Sequence, residues 1–248
     1  MAKRKPQKSE PQPVRKRGTV IGRLLKKLLF WGVCLAVLYQ GYLFAHVVWY
    51  RWFDPQETAF MADEQKRLAS QTPPIRLQHQ WVAYDQISRY VKRAVISSED
   101  TGFVDHSGVE WDAIEKAARL NLSAGKIRLG GSTITMQVAK NLFLSSDRSY
   151  LRKAQELVIA TMIELVWDKR RILEVYLNIA EWGVGVFGVQ AAAKHYYGRT
   201  AARLNPRQAA WLAAILPAPR RYDRQRESAW INRKTAIILR RMPQVTVP

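Results

Sequence analysis

The chain has 248 residues, 48% of them hydrophobic and 24% charged, which suits one well-packed domain with appendages better than two large domains. Its formal net charge of +20 favours a polyanionic partner such as nucleic acid, anionic lipid or a phosphorylated substrate, and does not choose between them. The single cysteine, Cys34, excludes an intrachain disulfide and a multi-cysteine metal site, and the four histidines are too scattered for zinc-ligand spacing.

An apolar run near the N-terminus predicts a membrane anchor. Residues 28–50 contain no acidic or basic side chain, and a helix of that length spans a hydrocarbon core of roughly 30 Å. The basic residues before the run are opposed only by Glu10, which places the N-terminus in the cytoplasm. A cleaved signal peptide is the alternative, but its apolar region would be shorter and a small-residue cleavage site would follow. We therefore predict a cytoplasmic tail at 1–27, a transmembrane helix at 28–50 and a body outside the cytoplasm.

The rest of the chain divides into a connector and a domain. Residues 51–80 are polar and interrupted by Pro55, Pro73 and Pro74, which predicts a connector with one short helix. Residues 81–248 show helical periodicity without sustained alternation, so the predicted fold class is mainly α. Several residues signal helix ends. Asp85 is the expected N-cap of the first helix, and Gly130 precedes a helix that ends near Leu142. Gly198 is a C-terminal stop, and Asn205 with Pro206 marks the start of a later helix.

The first polar cluster leaves a helix with the adjacent carboxylates Glu99 and Asp100 and enters a turn that contains His106. A carboxylate at such a junction can project into a cleft. The alternative is that both acids are solvated residues of a helix end and that His106 only stabilises the turn.

The second cluster lies on a helix that Gly130, Gly131 and Ser132 introduce. Thr133, Gln137 and Asn141 recur every four residues as a polar face, beside an apolar stripe. Open backbone N–H groups at the helix start, with Lys140 one or two turns later, would suit phosphate oxygens. Any amphipathic helix with a capped start has the same pattern.

The third cluster places Arg148, Arg152 and Glu156 on one helical stripe, with Lys153 three residues before Glu156. A basic face around one carboxylate fits an anion site. A surface ladder of salt bridges is the alternative, and such ladders contribute little stability.

Five ordered blocks of sequence resemble the peptidoglycan glycosyltransferases of glycosyltransferase family 51, in the monofunctional form that lacks a transpeptidase domain. The resemblance covers about residues 90–223 together with the anchor. The blocks are EDTGFVDHSG, GGSTITMQVAKN, RKAQE, RRILEVYLNIAEWGVGVFGVQAAAKHYYGR and LNPRQAAWLAAILPAPRRYD.

The resemblance implies a lysozyme-like, bilobed glycosyltransferase domain behind one transmembrane helix of the bacterial inner membrane, with its catalytic domain in the periplasm. The implied substrates are lipid II and the growing glycan strand, joined by a β-1,4 bond with inversion and release of undecaprenyl diphosphate. Other implied partners are the bilayer and cell-wall synthesis or division proteins, with no nucleic acid. The sequence requires no cofactor, and it leaves open Mg²⁺ or another divalent ion near Glu156 and the pyrophosphate.

The resemblance also implies residue roles. Glu99 would be the general base for the acceptor hydroxyl, and Glu156 would assist at the leaving group. Asp100, Phe103 and His106 would shape the Glu99 motif. Cations would hold the pyrophosphate, and polar side chains would contact substrate or support the site. The cations are Lys140, Arg148 and Arg152, and the polar set is Ser132, Thr133, Gln137, Asn141 and Lys153.

Some positions depart from the family's usual pattern. Met136 stands where Gln is common, and Phe187 and Tyr197 stand where Tyr and Phe are common, which puts only fine substrate contacts in doubt. In the fourth block we expect cleft-floor and turn roles rather than catalysis. Those residues are Glu174, Tyr176, Asn178, Gly183, Gly185 and Gly188.

Two other functions compete with glycan synthesis. A lysozyme-like hydrolase or lytic transglycosylase would also use one glutamate on a helical fold, but it needs no pyrophosphate site. A non-catalytic, membrane-anchored scaffold of cell-wall synthesis would use the basic surface alone.

Overall fold

A computed structural model describes residues 18–124, 131–144 and 149–248. The described part is mainly helical, as the periodicity predicts. The helices are α1 (Gly18–Tyr50), α2 (Ala59–Ala69), α3 (Arg89–Glu99), α4 (Trp111–Ala124), α5 (Ile134–Phe143), α6 (Tyr150–Val166), α7 (Lys169–Ile179), α8 (Val189–Tyr197), α9 (Pro206–Ile215), α10 (Pro219–Arg224) and α11 (Ala229–Arg241). Arg148 and Gly130 lie outside the described residues.

Helix α1 contains the predicted anchor. Its stretch Gly22–Tyr50 is long and apolar enough to cross a membrane, and no other helix in the described part of the chain meets that test. The chain divides into two compact units, Met1–Tyr42 and Leu43–Pro248, so the last turns of α1 belong to the second unit. There Leu43 and Val47 are buried.

The second unit begins with the end of α1, and Arg171 of α7 ties that end down. Its guanidinium donates to the carbonyl oxygen of Tyr50 at 3.0 and 3.1 Å and to that of Phe53 at 2.9 Å. It also pairs with Asp54 and Glu174, each at 2.8 Å. Carbonyl groups at a helix C-terminus lack partners within the helix, and a cation there satisfies them.

The predicted connector contributes to this unit. Helix α2 forms where a short helix is predicted, and its Met61 and Leu68 are buried in the core. Strand β1 (Gln78–His79) pairs in parallel with β3 (Val186–Phe187), which pairs antiparallel with β2 (Glu181–Gly183). Strands of two or three residues are too short for a recognisable alternation, so the periodicity analysis does not predict this sheet.

Two groups of packed helices build the rest. Helix α9 packs against α3 and α11, while α5 packs against α2, α6 and α7. The predicted cap at Asp85 is wrong, because Tyr84–Gln86 forms a 3-10 turn and Ser88 caps α3 instead. The predicted start of α9 is confirmed, since Asn205 and Gln208 form a reciprocal capping box ahead of Pro206.

Candidate active site

Glu99 is the last residue of α3, and neutral groups hold its carboxylate. Ser98 Oγ donates to Glu99 Oε1 at 3.0 Å and Gln137 Nε2 donates to Glu99 Oε2 at 3.2 Å. The Tyr176 hydroxyl in turn donates to Gln137 Oε1 at 3.1 Å. No lysine or arginine among the described residues lies within ion-pair distance of Glu99. We call these four residues the Glu99 network.

The buried hydroxyl at the end of this network stays protonated. Burial raises the pKa of Tyr176 well above its ordinary value, and the charges of Glu99 and Asp100 raise it further. Because the hydroxyl keeps its proton, it remains a donor to Gln137, and Gln137 presents its amide nitrogen to Glu99. The network therefore orients the Glu99 carboxylate without neutralising it.

Asp100, next to Glu99, is turned into the protein. Its Oδ1 lies 2.9 Å from His106 Nε2, and its Oδ2 accepts the backbone N–H of Ile134 at 2.9 Å. His106 Nδ1 accepts the N–H of Gly108 at 3.1 Å, so the proton of a neutral His106 is on Nε2 and points at Asp100. The motif loop is thereby fastened to the start of α5, and buried Phe103 fills the space beneath it. The predicted role of Asp100, Phe103 and His106 in shaping the Glu99 motif stays a prediction.

The start of α5 differs from the predicted open phosphate site. Thr133 Oγ1 accepts the N–H of Met136 at 3.2 Å, and Asp100 takes that of Ile134. Thr133 Oγ1 also donates to the Gly108 carbonyl at 2.6 Å. Two N–H groups expected to face phosphate are thus satisfied within the protein, one by a distant carboxylate and the other by the N-cap side chain of the helix itself. That expectation is wrong for these two groups.

A cluster of charges lies on α6 and the adjoining face of α5, and we call it the cation cluster: Lys140, Arg152, Lys153 and Glu156. Lys153 Nζ lies 2.6 Å from Glu156 Oε1, and Arg152 Nη1 lies 3.1 Å from Glu156 Oε2. Lys153 also donates to Ser132 Oγ at 2.7 Å. The predicted helical spacing thus produces real ion pairs around a carboxylate that is only 3% exposed.

Lys140 is the member of the cation cluster without an ion pair among the described residues. Burial lowers the pKa of Lys140, the charge of Glu156 raises it, and the charges of Arg152 and Lys153 lower it further. A partly buried ammonium beside two other cations is poorly stabilised by the protein, and a bound anion would stabilise it.

The two groups share one cavity of about 510 Å³. Gln137 and Tyr176 line it from the Glu99 network, and Lys140 and Arg152 line it from the cation cluster. Asn141, on the predicted polar face of α5, lines it as well. The cavity therefore holds cations along one wall and, through Gln137, adjoins the carboxylate that a base needs.

Sequence reasoning missed two groups of residues here. Arg220 and Arg221, which belong to α10, also line the cavity. Lys234 of α11 lies near Glu99. Burial lowers the pKa of Lys234, and the charge of Glu99 raises it. Both arginines lie in the fifth block of the resemblance. The resemblance implies no site role for residues of that block, so neither arginine was a candidate.

The fourth block divides between packing and the site. Asn178 bonds the backbone N–H and carbonyl of Val82 at 2.8 and 2.9 Å, and Glu174 accepts the N–H of Tyr84 at 2.7 Å. These are structural contacts, as expected. Tyr176 instead lines the cavity. Gly188 has φ +79°, and a Cβ there would approach the Asn178 carbonyl oxygen to 2.7 Å, so the turn requires glycine.

Ligand-type side chains for a metal gather at the motif that contains Glu99. Within the described ranges, Asp100, His106 and Glu110 form the one group whose candidate ligand atoms all lie within 4.8 Å of one another. Both Glu156 oxygens are already in ion pairs, so a divalent ion at Glu156 would have to displace Lys153 or Arg152.

Comparison with known proteins decides the family. The model of the transglycosylase family matches residues 65–243. This chain belongs to the transglycosylase family. The protein is 54% identical over 230 residues to the biosynthetic peptidoglycan transglycosylase of Bordetella pertussis, covering 91% of this chain and 95% of that protein. The protein of the same name from Herminiimonas arsenicoxydans is 51% identical, and the match covers 91% of this chain and 100% of that protein. The one from Dechloromonas aromatica is 49% identical, and the match covers 92% of this chain and 99% of that protein.

The family match confirms the predicted enzyme class, a glycosyltransferase. With the helical architecture it also confirms the predicted fold class, a lysozyme-like, mainly α domain behind one N-terminal apolar helix. The roles of the individual residues stay predictions.

Proposed function

We propose that this transglycosylase is a peptidoglycan glycosyltransferase that polymerises lipid II into β-1,4-linked strands. The reaction inverts the configuration of the anomeric carbon and releases undecaprenyl diphosphate. The observation that carries the proposal is the shared cavity, which Lys140 and Arg152 of the cation cluster line together with Gln137, the hydrogen-bond donor to Glu99 Oε2. The chain's similarity to the biosynthetic peptidoglycan transglycosylases supports the same substrate class.

Glu99 acts as the general base. The 4-hydroxyl oxygen of the acceptor sugar attacks the anomeric carbon of the growing strand, and Glu99 takes the hydroxyl proton as the bond forms. The bond between that carbon and the pyrophosphate oxygen breaks, and its electron pair leaves with the pyrophosphate. Gln137 and Ser98 hold the two carboxylate oxygens in place during this step.

The cation cluster stabilises the leaving group. Negative charge grows on the pyrophosphate as its bond breaks, and Lys140 and Arg152 line the cavity where it would lie. Glu156 positions the two cations that it pairs with, which supports an indirect part in the reaction. Arg148 remains a predicted fourth cation, and a divalent ion that assists the pyrophosphate remains a prediction that titration with Mg²⁺ or EDTA would test.

The body works outside the cytoplasm, anchored in the bacterial inner membrane by the apolar part of α1. The basic residues before the span favour this orientation, and the lipid carrier of the substrate requires a site close to the bilayer. Protease digestion of spheroplasts should cleave the body and leave the N-terminal tail protected. Recruitment by division or cell-wall synthesis proteins also stays a prediction.

Labelled lipid II tests the reaction. Purified full-length protein in detergent should convert it into polymer, and the Glu99→Gln variant should fail to do so while retaining its helical circular dichroism. A protein that shortens preformed strands and makes no polymer would instead be the lytic enzyme. A Glu99→Gln variant that still restores cell-wall synthesis in depleted cells would favour the scaffold.

A further inference from the structure

A second basic cavity lies beside the one just described. Its volume is about 400 Å³, and four of its lining residues are arginines. We call it the arginine cavity: Arg67, Arg220, Arg221 and Arg224, with Val184 and Gln225. Arg220 and Arg221 line both cavities, so the cations of the first continue into the second.

Two buried carboxylates hold half of this cavity in place. Glu64 of α2 is only 2% exposed, and it accepts two hydrogen bonds from Arg67 and pairs with Arg220 at 2.8 Å. Glu181 of β2 is 8% exposed and pairs with Arg220 at 2.7 Å. Three elements far apart in the sequence thus meet to fix the guanidinium of Arg220.

The remaining half carries charge that the protein does not balance. Arg221 and Arg224 are exposed, and neither has an ion pair within the described part of the chain. Asp223, their chain neighbour, is engaged by His195 at 2.8 Å and by Arg226 at 3.3 Å. Four guanidinium groups therefore face two carboxylates, and the excess positive charge around one concave surface attracts an anion.

The chemistry of the lining fits an oxyanion. All four cations are arginines, whose planar fork binds a carboxylate or a phosphate through two parallel hydrogen bonds. Arg67 already binds Glu64 in this way, through Nε and a terminal nitrogen. The proposed function places the pyrophosphate beside Lys140 and Arg152 in the first cavity. Lipid II also carries a peptide, so the anionic groups of the same substrate that remain for the arginine cavity are the carboxylates of that peptide.

We propose that the arginine cavity binds a carboxylate of the peptide carried by the sugar substrate, and so selects strands whose peptides keep that charge. This inference rests on the proposed function, because it assumes a peptide-bearing, lipid-linked sugar in the neighbouring cavity. Arg224 and Arg221 make the contact, and Arg220 is a positioning residue held by Glu64 and Glu181.

The test compares two substrates with several variants of the full-length protein. The substrates are lipid II with free peptide carboxylates and lipid II with those carboxylates amidated. Arg224→Gln is the main variant, because Arg224 lines the arginine cavity and does not line the first one. Arg199→Gln is the matched control, since Arg199 is also exposed and without an ion pair within the described ranges.

For wild type and Arg199→Gln, we expect KM to be about five- to tenfold higher for the amidated substrate than for the substrate with free carboxylates. This factor corresponds to the loss of one charge-assisted hydrogen bond. Arg224→Gln should raise KM for the free carboxylate by the same factor, leave it unchanged for the amidated substrate and keep kcat. Arg221→Gln should lose the discrimination as well.

Each other outcome overturns a specific statement. Equal kinetics for the two substrates in wild type would refute the carboxylate site and leave lipid II polymerisation intact. A parallel loss of inhibition by inorganic pyrophosphate in Arg224→Gln, with the substrate ratio unchanged, would make the cavity a phosphate site instead. Absence of any polymer with wild type would refute the proposed function itself.

Discussion

Glu99 and Glu156 are two carboxylates of the same site in opposite surroundings. Glu99 receives hydrogen bonds from Ser98 and Gln137, both neutral, whereas each Glu156 oxygen is paired with a cation. Among the described residues, Glu99 is therefore free of ion pairs, while Glu156 holds Arg152 and Lys153 in place. The comparison teaches that the surroundings suit the two acids to different parts of the proposed reaction, in which Glu99 would accept the proton and Glu156 would order the cations.

The largest expected effect separates the two acids by rate. Glu99→Gln removes the base and should lower kcat by about 10²- to 10⁴-fold, with little change in thermal stability. Glu156→Gln should lower kcat far less. Rates of lipid II polymerisation, measured beside the melting temperature of each variant, check this. Equal losses of kcat in both variants would contradict the assignment of different roles to Glu99 and Glu156.

The next effect separates them by stability. Glu156→Ala leaves Arg152 and Lys153 without the nearly buried carboxylate that they pair with, and we expect a loss of about 1–3 kcal/mol in unfolding free energy. Glu99→Ala, which removes hydrogen bonds from neutral donors and no ion pair, should cost less than half of that. Denaturant unfolding of both variants measures the difference. An unaffected Glu156→Ala would mean that its ion pairs contribute nothing to the fold.

A smaller effect sharpens the role of the neutral support. Gln137→Leu removes the donor to Glu99 Oε2 and the acceptor of the Tyr176 proton. We expect kcat to fall about tenfold, equivalent to about 1.4 kcal/mol. The dissociation constant for inorganic pyrophosphate should stay unchanged, since the cations are untouched. Calorimetric titration with pyrophosphate is the second readout, and weaker binding would show that Gln137 serves the anion rather than Glu99.

The smallest effect is a pH shift at Lys140. Because burial lowers the pKa of Lys140, it loses its charge at a lower pH than an ordinary lysine, and pyrophosphate affinity should fall as pH rises through that value. Protein stability should rise over the same window, since the unfolded chain then binds more protons. Lys140→Arg should abolish the fall in affinity, as a guanidinium stays charged. Glu156→Gln should move the fall to still lower pH, because the Glu156 charge raises the Lys140 pKa.

The sequence predicted much of this site because several of its contacts are local. Glu156 meets Arg152 and Lys153 at helical spacings of four and three, and the same spacing places Gln137 and Asn141 on one face of α5. Pairs at these distances depend only on the helix being present.

The contacts that escaped prediction join distant parts of the chain. Asp100 caps a helix 34 residues later, and Glu64 and Glu181 both reach Arg220. Spacing carries no information about such pairs, and Arg220 sits where the resemblance supplied no role. The expectation of an open N–H group at Ile134 is wrong for the same reason, since its acceptor is Asp100, 34 residues earlier, whereas the N–H of Met136 is taken by the local cap Thr133.

The sequence by itself determined the order of the helices, their clearest caps at Asn205 and Gly198, the apolar anchor and the family. Each of these depends on interactions within a few residues or on composition. Only the tertiary structure decided which carboxylate stays free of ion pairs, which N–H groups at the start of α5 are satisfied and where the unbalanced arginines gather. Burial and long-range pairing set those properties, and both exist only once the helices have packed.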